Sequence, residues 1–257
     1  MIDAELRWSD PSIYKDLATS FQKKNANLLA ALLADMLGGD RCVDFGCGTG
    51  FLSESILRLR PRLRMDCVDI SPAMLAAARS NPALQGCQFH QASMQNFPGS
   101  DYDGLASNAA IHWTAPHFER TFAQVAAALK PGGVFAIATA GKSPASDRFD
   151  ASIRALAQEV SAEIDEMPFA QRRLTIEQIS GLCGAAGLEV ADCFMVERHA
   201  TMPVARYIDW LVASGGPWTC FSNDSSELRR AAEAIFAQAE GGMEVGHWST
   251  VVTGCKK

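Results

Sequence analysis

The sequence predicts an α/β fold, a parallel sheet with helices on both faces. Three observations lead there. Short apolar runs of strand length alternate with segments of helical periodicity from about residue 41 to residue 139, the order in which βαβ units assemble a parallel sheet. The first run, Val43-Asp44-Phe45, passes directly into Gly46-Cys47-Gly48-Thr49-Gly50 and then into a helical segment. The second run ends on an acid, Asp69, 23 residues after Gly46.

Each element has its own warrant. From about 11 to 37 the pattern is helical, with Leu28, Leu29, Leu32, Leu33 and Met36 in one stripe, and Gly38-Gly39 stops it. Arg41 to Phe45 is the first strand. Phe51 to Leu59 is a helix that ends before Pro61. Arg64 to Asp69 is the second strand, and Ser71-Pro72 opens the next helix, with Ser71 as cap and Pro72 in the first turn. Gly86 to Ala92 reads as the third strand, Asp103 to Ser107 as the fourth and Gly133 to Thr139 as the fifth. The helix from Pro116 to Leu129 joins the last two, with Pro131-Gly132-Gly133 as a turn. Beyond it, Asp150 to Met167 is an amphipathic helix with Ile153, Leu156, Val160, Ile164 and Met167 on one face. Thr175 and Gln178 form a capping box for a helix ending near Gly187. Leu188 to Val196 is a sixth strand, and Val245 to Thr253 a final one. Helices are expected from Pro203 to Leu211 and from Ser225 to Ala239. No internal repeat or linker-like tract divides the chain, so residues 1–257 read as a single domain.

Composition narrows the function classes. With 48% hydrophobic residues the chain has material for a sizeable core, and too much for a disordered one. Its 23 Lys and Arg against 29 Asp and Glu give a net charge of −6, which argues against a nucleic-acid partner, since such proteins normally show a basic face. No run reaches the ~18 apolar residues of a membrane span. The start, Met1-Ile2-Asp3-Ala4-Glu5, lacks the basic and apolar regions of a signal peptide. The eight cysteines form no CxxC pair, so reduced thiols in a cytoplasmic protein are expected and no metal site is.

The glycine loop carries the chemistry. Glycines let a backbone pass close beneath a ligand, and the following helix start offers free N–H groups. An acid ending the next strand can accept hydrogen bonds from ribose hydroxyls. Gly46, Gly48 and Gly50 make G-x-G-x-G, with Phe51 beyond them. That is neither the G-x-G-x-x-G of dinucleotide binders nor a phosphate loop, so a ribose-bearing ligand without a pyrophosphate fits better than an oxidoreductase cofactor.

On Asp44-Phe45-Gly46-Cys47-Gly48-Thr49-Gly50, Asp69-Ile70-Ser71-Pro72-Ala73-Met74-Leu75 and Leu129-Lys130-Pro131-Gly132-Gly133, the chain resembles the class I S-adenosylmethionine-dependent methyltransferases. The resemblance covers roughly residues 8 to 140. It implies a Rossmann-like seven-stranded sheet whose last strand is antiparallel, helices on both faces and a helical cap, with S-adenosylmethionine as cofactor. It also implies that Gly46, Gly48 and Gly50 underlie the methionine and ribose part and that Asp44 holds the loop and contacts the amino-acid moiety. Asp69 would then bind the ribose hydroxyls, with Ile70 and Met74 flanking the adenine. Gln91 to Pro98 matches the loop that usually reads Gly-Asp-Ala-Glu-x-Leu-Pro. Ser93 replaces the usual Asp there, which weakens the side-chain contact to the adenine amino group and leaves the backbone at Met94 to read the ring.

Two further segments resemble the trans-aconitate and malonyl-carrier-protein O-methyltransferases. Trp8-Ser9-Asp10-Pro11, with Tyr14 and Phe21-Gln22, is similar to their helical lid, in which the tyrosine lies over the cofactor. Trp8 and Tyr14 can equally anchor a helix to the core. Ser107-Asn108-Ala109-Ala110-Ile111-His112-Trp113 follows the fourth strand, at the carboxyl end of the sheet where ligands of open α/β folds sit. By the resemblance Asn108 and Ala109 face the methionine end of the cofactor. His112 is the catalytic candidate, as a base or as a group that orients the acceptor, against the plain alternative of a packed loop histidine. His90, His117, His199 and His247 look less well placed.

The parts expected are an N-terminal helical lid over 1–37, a cofactor-binding core over 38–141, and a substrate cap over 142–175 and 203–242. The cap holds Arg148, Arg154, Arg172, Arg173, Arg198 and Arg206 in or near it, each reading singly as solvated charge, and the aromatics Tyr207, Trp210, Trp218 and Phe221. The expected activity is methylation of a small molecule at oxygen, on a carboxylate or a hydroxyl, with N- or C-methylation as the alternative. A carrier protein is not indicated, because Arg229-Arg230 reads as a solvated helix face. A non-catalytic cofactor-binding module is the rival from another class.

Overall fold

A computed structural model of the chain describes residues 21–159, 169–203 and 243–257, with 205–207, 209, 230 and 233 between the last two stretches. Helix α1 (Gln22–Met36) leads into β1 (Arg41–Phe45), α2 (Phe51–Leu59), β2 (Arg64–Asp69), α3 (Pro72–Arg79), β3 (Gln88–Gln91) and β4 (Tyr102–Asn108). Then come α4 (Phe118–Ala128), β5 (Leu129–Ala140), α5 (Pro144–Glu159), α6 (Ile176–Ala185), β6 (Leu188–Met202) and β7 (Met243–Lys256). The seven strands form one sheet in the order β3-β2-β1-β4-β5-β7-β6. The pairs among β1 to β5 are parallel, and β7 runs antiparallel to both β5 and β6. The fold class read from the sequence is the one observed, including the antiparallel last strand.

Alternation along the strands sends side chains to two cores. Val43, Phe45, Leu105, Phe135, Ile137 and Val252 face Phe122 and Val125 of α4 and Ile179 and Cys183 of α6. Cys42, Met65, Ala106, Ala136, Ala138 and Val251 face Leu29 and Leu33 of α1, Leu52 and Ile56 of α2 and Leu75 of α3. Local chemistry sets the helix starts. The Ser71 hydroxyl accepts from the Met74 N–H at 3.3 Å with Pro72 in the first turn. Thr175 and Gln178 close their capping box through bonds of 2.9 and 3.2 Å.

Several boundaries differ from the sequence reading. The third strand is shorter, Gln88–Gln91, and the helix after β4 begins at Phe118, because a short 3-10 turn over Ile111–Thr114 occupies the connection. The turn at Pro131-Gly132-Gly133 lies within the run of β5. Tyr102 pairs with Leu129 but Gly104 pairs with Val134, so Lys130 to Gly133 bulge out of the ladder, the one way a strand accommodates proline there. Helix α5 starts at Pro144, six residues ahead of Asp150. The expected helix end at Met167 and most of the segments 203–211 and 225–239 lie outside the described residues. Strand β6 runs on to Met202 and β7 starts at Met243. Since Ala140, the last residue of β5, pairs with Ser249, the part of the β6–β7 hairpin over 197–202 and 243–248 rises past the carboxyl end of the sheet.

Candidate functional site

The glycine loop closes on its own backbone. Gly46 and Cys47 donate to the Val68 carbonyl at 2.8 and 3.0 Å, and Gly50 donates to the Cys47 carbonyl at 2.9 Å. Gly46 sits at φ 71°, and a Cβ there would lie 2.2 Å from the Ala110 Cβ, so both conformation and space require glycine. Gly50, at φ 88°, precedes α2 in the same left-handed region. Gly48 differs: a Cβ on it would meet nothing within 4 Å, so this part of the loop faces open space.

Two acids flank the loop. Asp69 accepts from the Gly48 N–H at 2.8 Å on one carboxylate oxygen and from the Ser71 N–H at 2.9 Å on the other. A carboxylate has about four lone-pair sites, so Asp69 keeps acceptor capacity beyond its backbone bonds. Asp44 is fully buried; Ser53 donates to its Oδ2 at 2.7 Å, and its Oδ1 has no hydrogen-bond partner among the described residues. Burial pushes Asp44 up to about 7. Ile70, beside Asp69, is 47% exposed despite its size, whereas Met74 is buried.

The loops after β3 and β4 complete this side. Ser93 caps its own turn, accepting from the Gln95 N–H at 3.3 Å, and Met94 packs against the Gly46 side of the loop. Ala109 takes φ 54°, held by its N–H on the Ala138 carbonyl at 2.8 Å. Asn108 donates to the Gln22 carbonyl at 3.0 Å. The Asn108 Oδ1 and Gln22 Oε1 are buried acceptors with no partner among the described residues, like the Asp44 Oδ1. The structure thus gathers Asp44, Gly46, Gly48, Gly50, Asp69, Ile70, Met74, Ser93, Met94, Asn108 and Ala109 at the carboxyl ends of β1, β2, β3 and β4. Tyr14 lies outside the described residues, as do Trp8, Trp218 and Phe221.

His112 lies beyond the β4 end in the 3-10 turn, 6% exposed, with Nδ1 3.4 Å from the Thr139 hydroxyl. Its ring meets Trp113 and Phe169 at centroid distances of 4.9 and 5.4 Å. Burial, then Arg173 and Arg172, push His112 down to about 3. Arg173 is buried, contrary to its reading as solvated charge. Its Nε and one terminal nitrogen grip Asp150 of α5 at 2.6 and 3.0 Å, and the other donates to the Gly141 carbonyl at 3.2 Å. The guanidinium lies 4.9 Å from the Phe169 ring centre and 5.9 Å from that of Trp248, and Arg172 lies 5.4 Å from that of Trp113. Leu174 donates to the Ala140 carbonyl and accepts from the Lys142 N–H, a strand-like bridge across Gly141 that pins this turn over the end of β5.

Gln22, named only as part of the lid motif, Arg173, read as solvated charge, His247, set aside as less well placed, and Trp248, not named, all adjoin the site. Gln22 carries a signal in the Phe21-Gln22 pair; the places of Arg173, Trp248 and His247 have no local sequence signal. No cluster of three or more His, Cys, Asp or Glu side chains able to hold a metal occurs among the described residues.

Comparison with known proteins agrees with this geometry. A methyltransferase-domain family matches residues 42–133. Trans-aconitate 2-methyltransferase from Escherichia coli is 30% identical over 213 residues, 81% of this chain and 80% of the relative. The enzyme of the same name from Escherichia fergusonii is 30% identical over 212 residues, 81% and 79% of the two chains. Among solved structures, a putative methyltransferase from Bacillus halodurans superimposes with a TM-score of 0.62 at 16% identity, covering 91% of this chain and 99% of that one. Magnesium protoporphyrin IX methyltransferase from Synechocystis, with S-adenosylhomocysteine bound, gives 0.59 at 15% identity over 96% and 88%. These two likenesses concern the fold, whereas the similarity at 30% identity, over about four-fifths of each chain, concerns descent. The chain belongs to the class I S-adenosylmethionine-dependent methyltransferases.

Proposed function

We propose that the enzyme methylates a carboxylate oxygen of a small organic acid. The observation that carries this is His112. Pushed down to about 3, its imidazole is neutral at working pH and a very weak base, and general-base catalysis favours a pKa near the operating pH. A hydroxyl acceptor would need a base. A carboxylate arrives already deprotonated and needs alignment and exclusion of water, which can contribute ~7–11 kcal/mol. Arg173 beside His112 is offset by its pairing with Asp150, so the positive charge of Arg172 is what favours an anion there. The similarity to enzymes named for trans-aconitate, itself a carboxylic acid, supports the same choice.

The residues present fit the cofactor. Buried oxygens of Asp44, Gln22 and Asn108 are acceptors awaiting donors, as a cationic amino group would supply. The unused lone pairs of Asp69 suit two ribose hydroxyls, and the open face at Gly48 admits a ligand close to the backbone. Exposed Ile70 and buried Met74 would flank the adenine, with Ser93 and Met94 reading its edge through the backbone and Ala109 beside the methionine end. When bound, S-adenosylmethionine supplies an electrophilic methyl group on cationic sulfur. His112 then serves as a neutral hydrogen-bonding group that orients the acceptor. The segments 142–175 and 203–242 select it as a cap. Free thiols at Cys42, Cys47, Cys67 and Cys183 support placing the enzyme in the cytoplasm.

The test is turnover of trans-aconitate and simpler carboxylic acids with S-adenosylmethionine, read as methyl ester by mass spectrometry. With S-adenosylmethionine saturating at each pH, ester should form at a rate nearly level from ~pH 6 to ~pH 8, where carboxylates are ionised and His112 is neutral. His112→Ala should lower kcat by less than the ~10²-fold that a lost base costs. Methylation of a hydroxyl or an amine, with no ester from any acid, would overturn the reading.

A further inference from the structure

His247 looks unremarkable in the sequence, yet it stands on the part of β7 that rises past the carboxyl end of β5. Its ring stacks on Phe21 at 5.0 Å and 9°, and the next residue, Gln22, takes the hydrogen bond from Asn108. A chain of hydrogen bonds leads to the ring. Arg198, opposite His247 on β6, donates from Nε to the Asn25 Oδ1 at 3.0 Å. Asn25 donates from Nδ2 to the Ser249 hydroxyl at 2.8 Å, and that hydroxyl lies 3.3 Å from the His247 Nδ1.

The chain has a direction. A guanidinium can only donate, so the Asn25 atom facing Arg198 is the oxygen, and the amide nitrogen faces Ser249. The Ser249 oxygen is thereby a recipient, and its own proton is available to the remaining partner, the His247 Nδ1. An imidazole that accepts at Nδ1 and is neutral carries its proton at Nε2. Enclosure of the ring, then Arg173 and Arg198, push His247 down to about 3, which favours the neutral imidazole. No described residue takes the Nε2 proton in a hydrogen bond, and His247 as a whole is half-buried.

We propose that His247 is a specificity-determining residue of this site, fixed by the Arg198–Asn25–Ser249 relay to present an Nε2–H donor to an oxygen of the acceptor carboxylate. The proposal rests on the carboxylate reading above. Arg198 acts through the relay as a positioning residue, so its charge is not spent on the acceptor and does not tie up the oxygen lone pairs that must react.

The experiment uses the full chain saturated with S-adenosylhomocysteine. Nitrogen-15 spectra of the imidazoles should show His247 unprotonated at Nδ1 and protonated at Nε2, and Ser249→Ala should mix the two tautomers. Calorimetric titration with trans-aconitate should show His247→Phe, which keeps the stack on Phe21, binding at least ~10-fold more weakly. His247→Gln, which keeps an N–H donor, should recover most of that loss, and S-adenosylhomocysteine affinity should stay unchanged in both. A protonated Nδ1 in the parent enzyme overturns the relay. Equal trans-aconitate binding by the parent and His247→Phe overturns the role of His247 alone. Parallel loss of S-adenosylhomocysteine does the same. If the parent binds neither trans-aconitate nor simpler carboxylates, the carboxylate reading fails, and this proposal with it.

Discussion

Asp44 is a carboxyl group placed where burial disfavours its ionised form. Burial raises it from the ordinary 3.8 to about 7, so folding holds the proton that the unfolded chain releases near ~4. The contribution to stability is therefore full below ~pH 4 and is lost as pH rises through about 7. Asp44→Asn should flatten the dependence of the melting temperature on pH over that window and raise it at ~pH 8, while weakening S-adenosylmethionine binding throughout. In the parent enzyme, affinity for the cationic cofactor should rise as pH increases through about 7, which titration calorimetry at several pH values measures. Asp69 is a different case, because its carboxylate already organises the loop through Gly48 and Ser71. Charged hydrogen bonds contribute ~1.5–3 kcal/mol, so Asp69→Ala should weaken S-adenosylhomocysteine binding ~10-fold or more. Unchanged affinity in that variant would remove the ribose assignment.

At the scale of elements, the cofactor half was legible because its signals are local. A strand, a glycine turn and a helix are contiguous, and Ser71-Pro72 and Thr175-Gln178 mark helix starts within four residues of sequence. The surroundings of His112 and His247 were not, because their partners meet only in the fold. Arg173 finds Asp150 23 residues upstream, and an arginine in isolation gives no sign that it will be buried. His247 acquires its surroundings from α1 and β6, more than 200 and about 50 residues away respectively. The Asp150–Arg173 pair ties α5 to the turn at Phe169–Arg172 and to the end of β5. Removing one partner of such a buried pair costs ~3–5 kcal/mol, because the other charge stays buried alone. Arg173→Met should thus lower unfolding stability by about that amount in denaturant titrations. A loss below ~1 kcal/mol would show the pair to be dispensable for the fold.

The whole molecule is organised by one sheet with a core on each face, and its two outermost strands differ sharply. β3 covers only Gln88–Gln91, whereas β6 runs 15 residues from Leu188 to Met202. A long outer strand offers a row of backbone donors and acceptors to any passing chain, and natural proteins counter this with charge. β6 carries Glu189, Asp192 and Glu197, all exposed. Replacing the three together with valine should leave the monomer folded by circular dichroism yet drive self-association, visible as concentration-dependent light scattering. Acidic residues spaced along β6 thus make copies of the chain repel one another at the strand where they would otherwise add on.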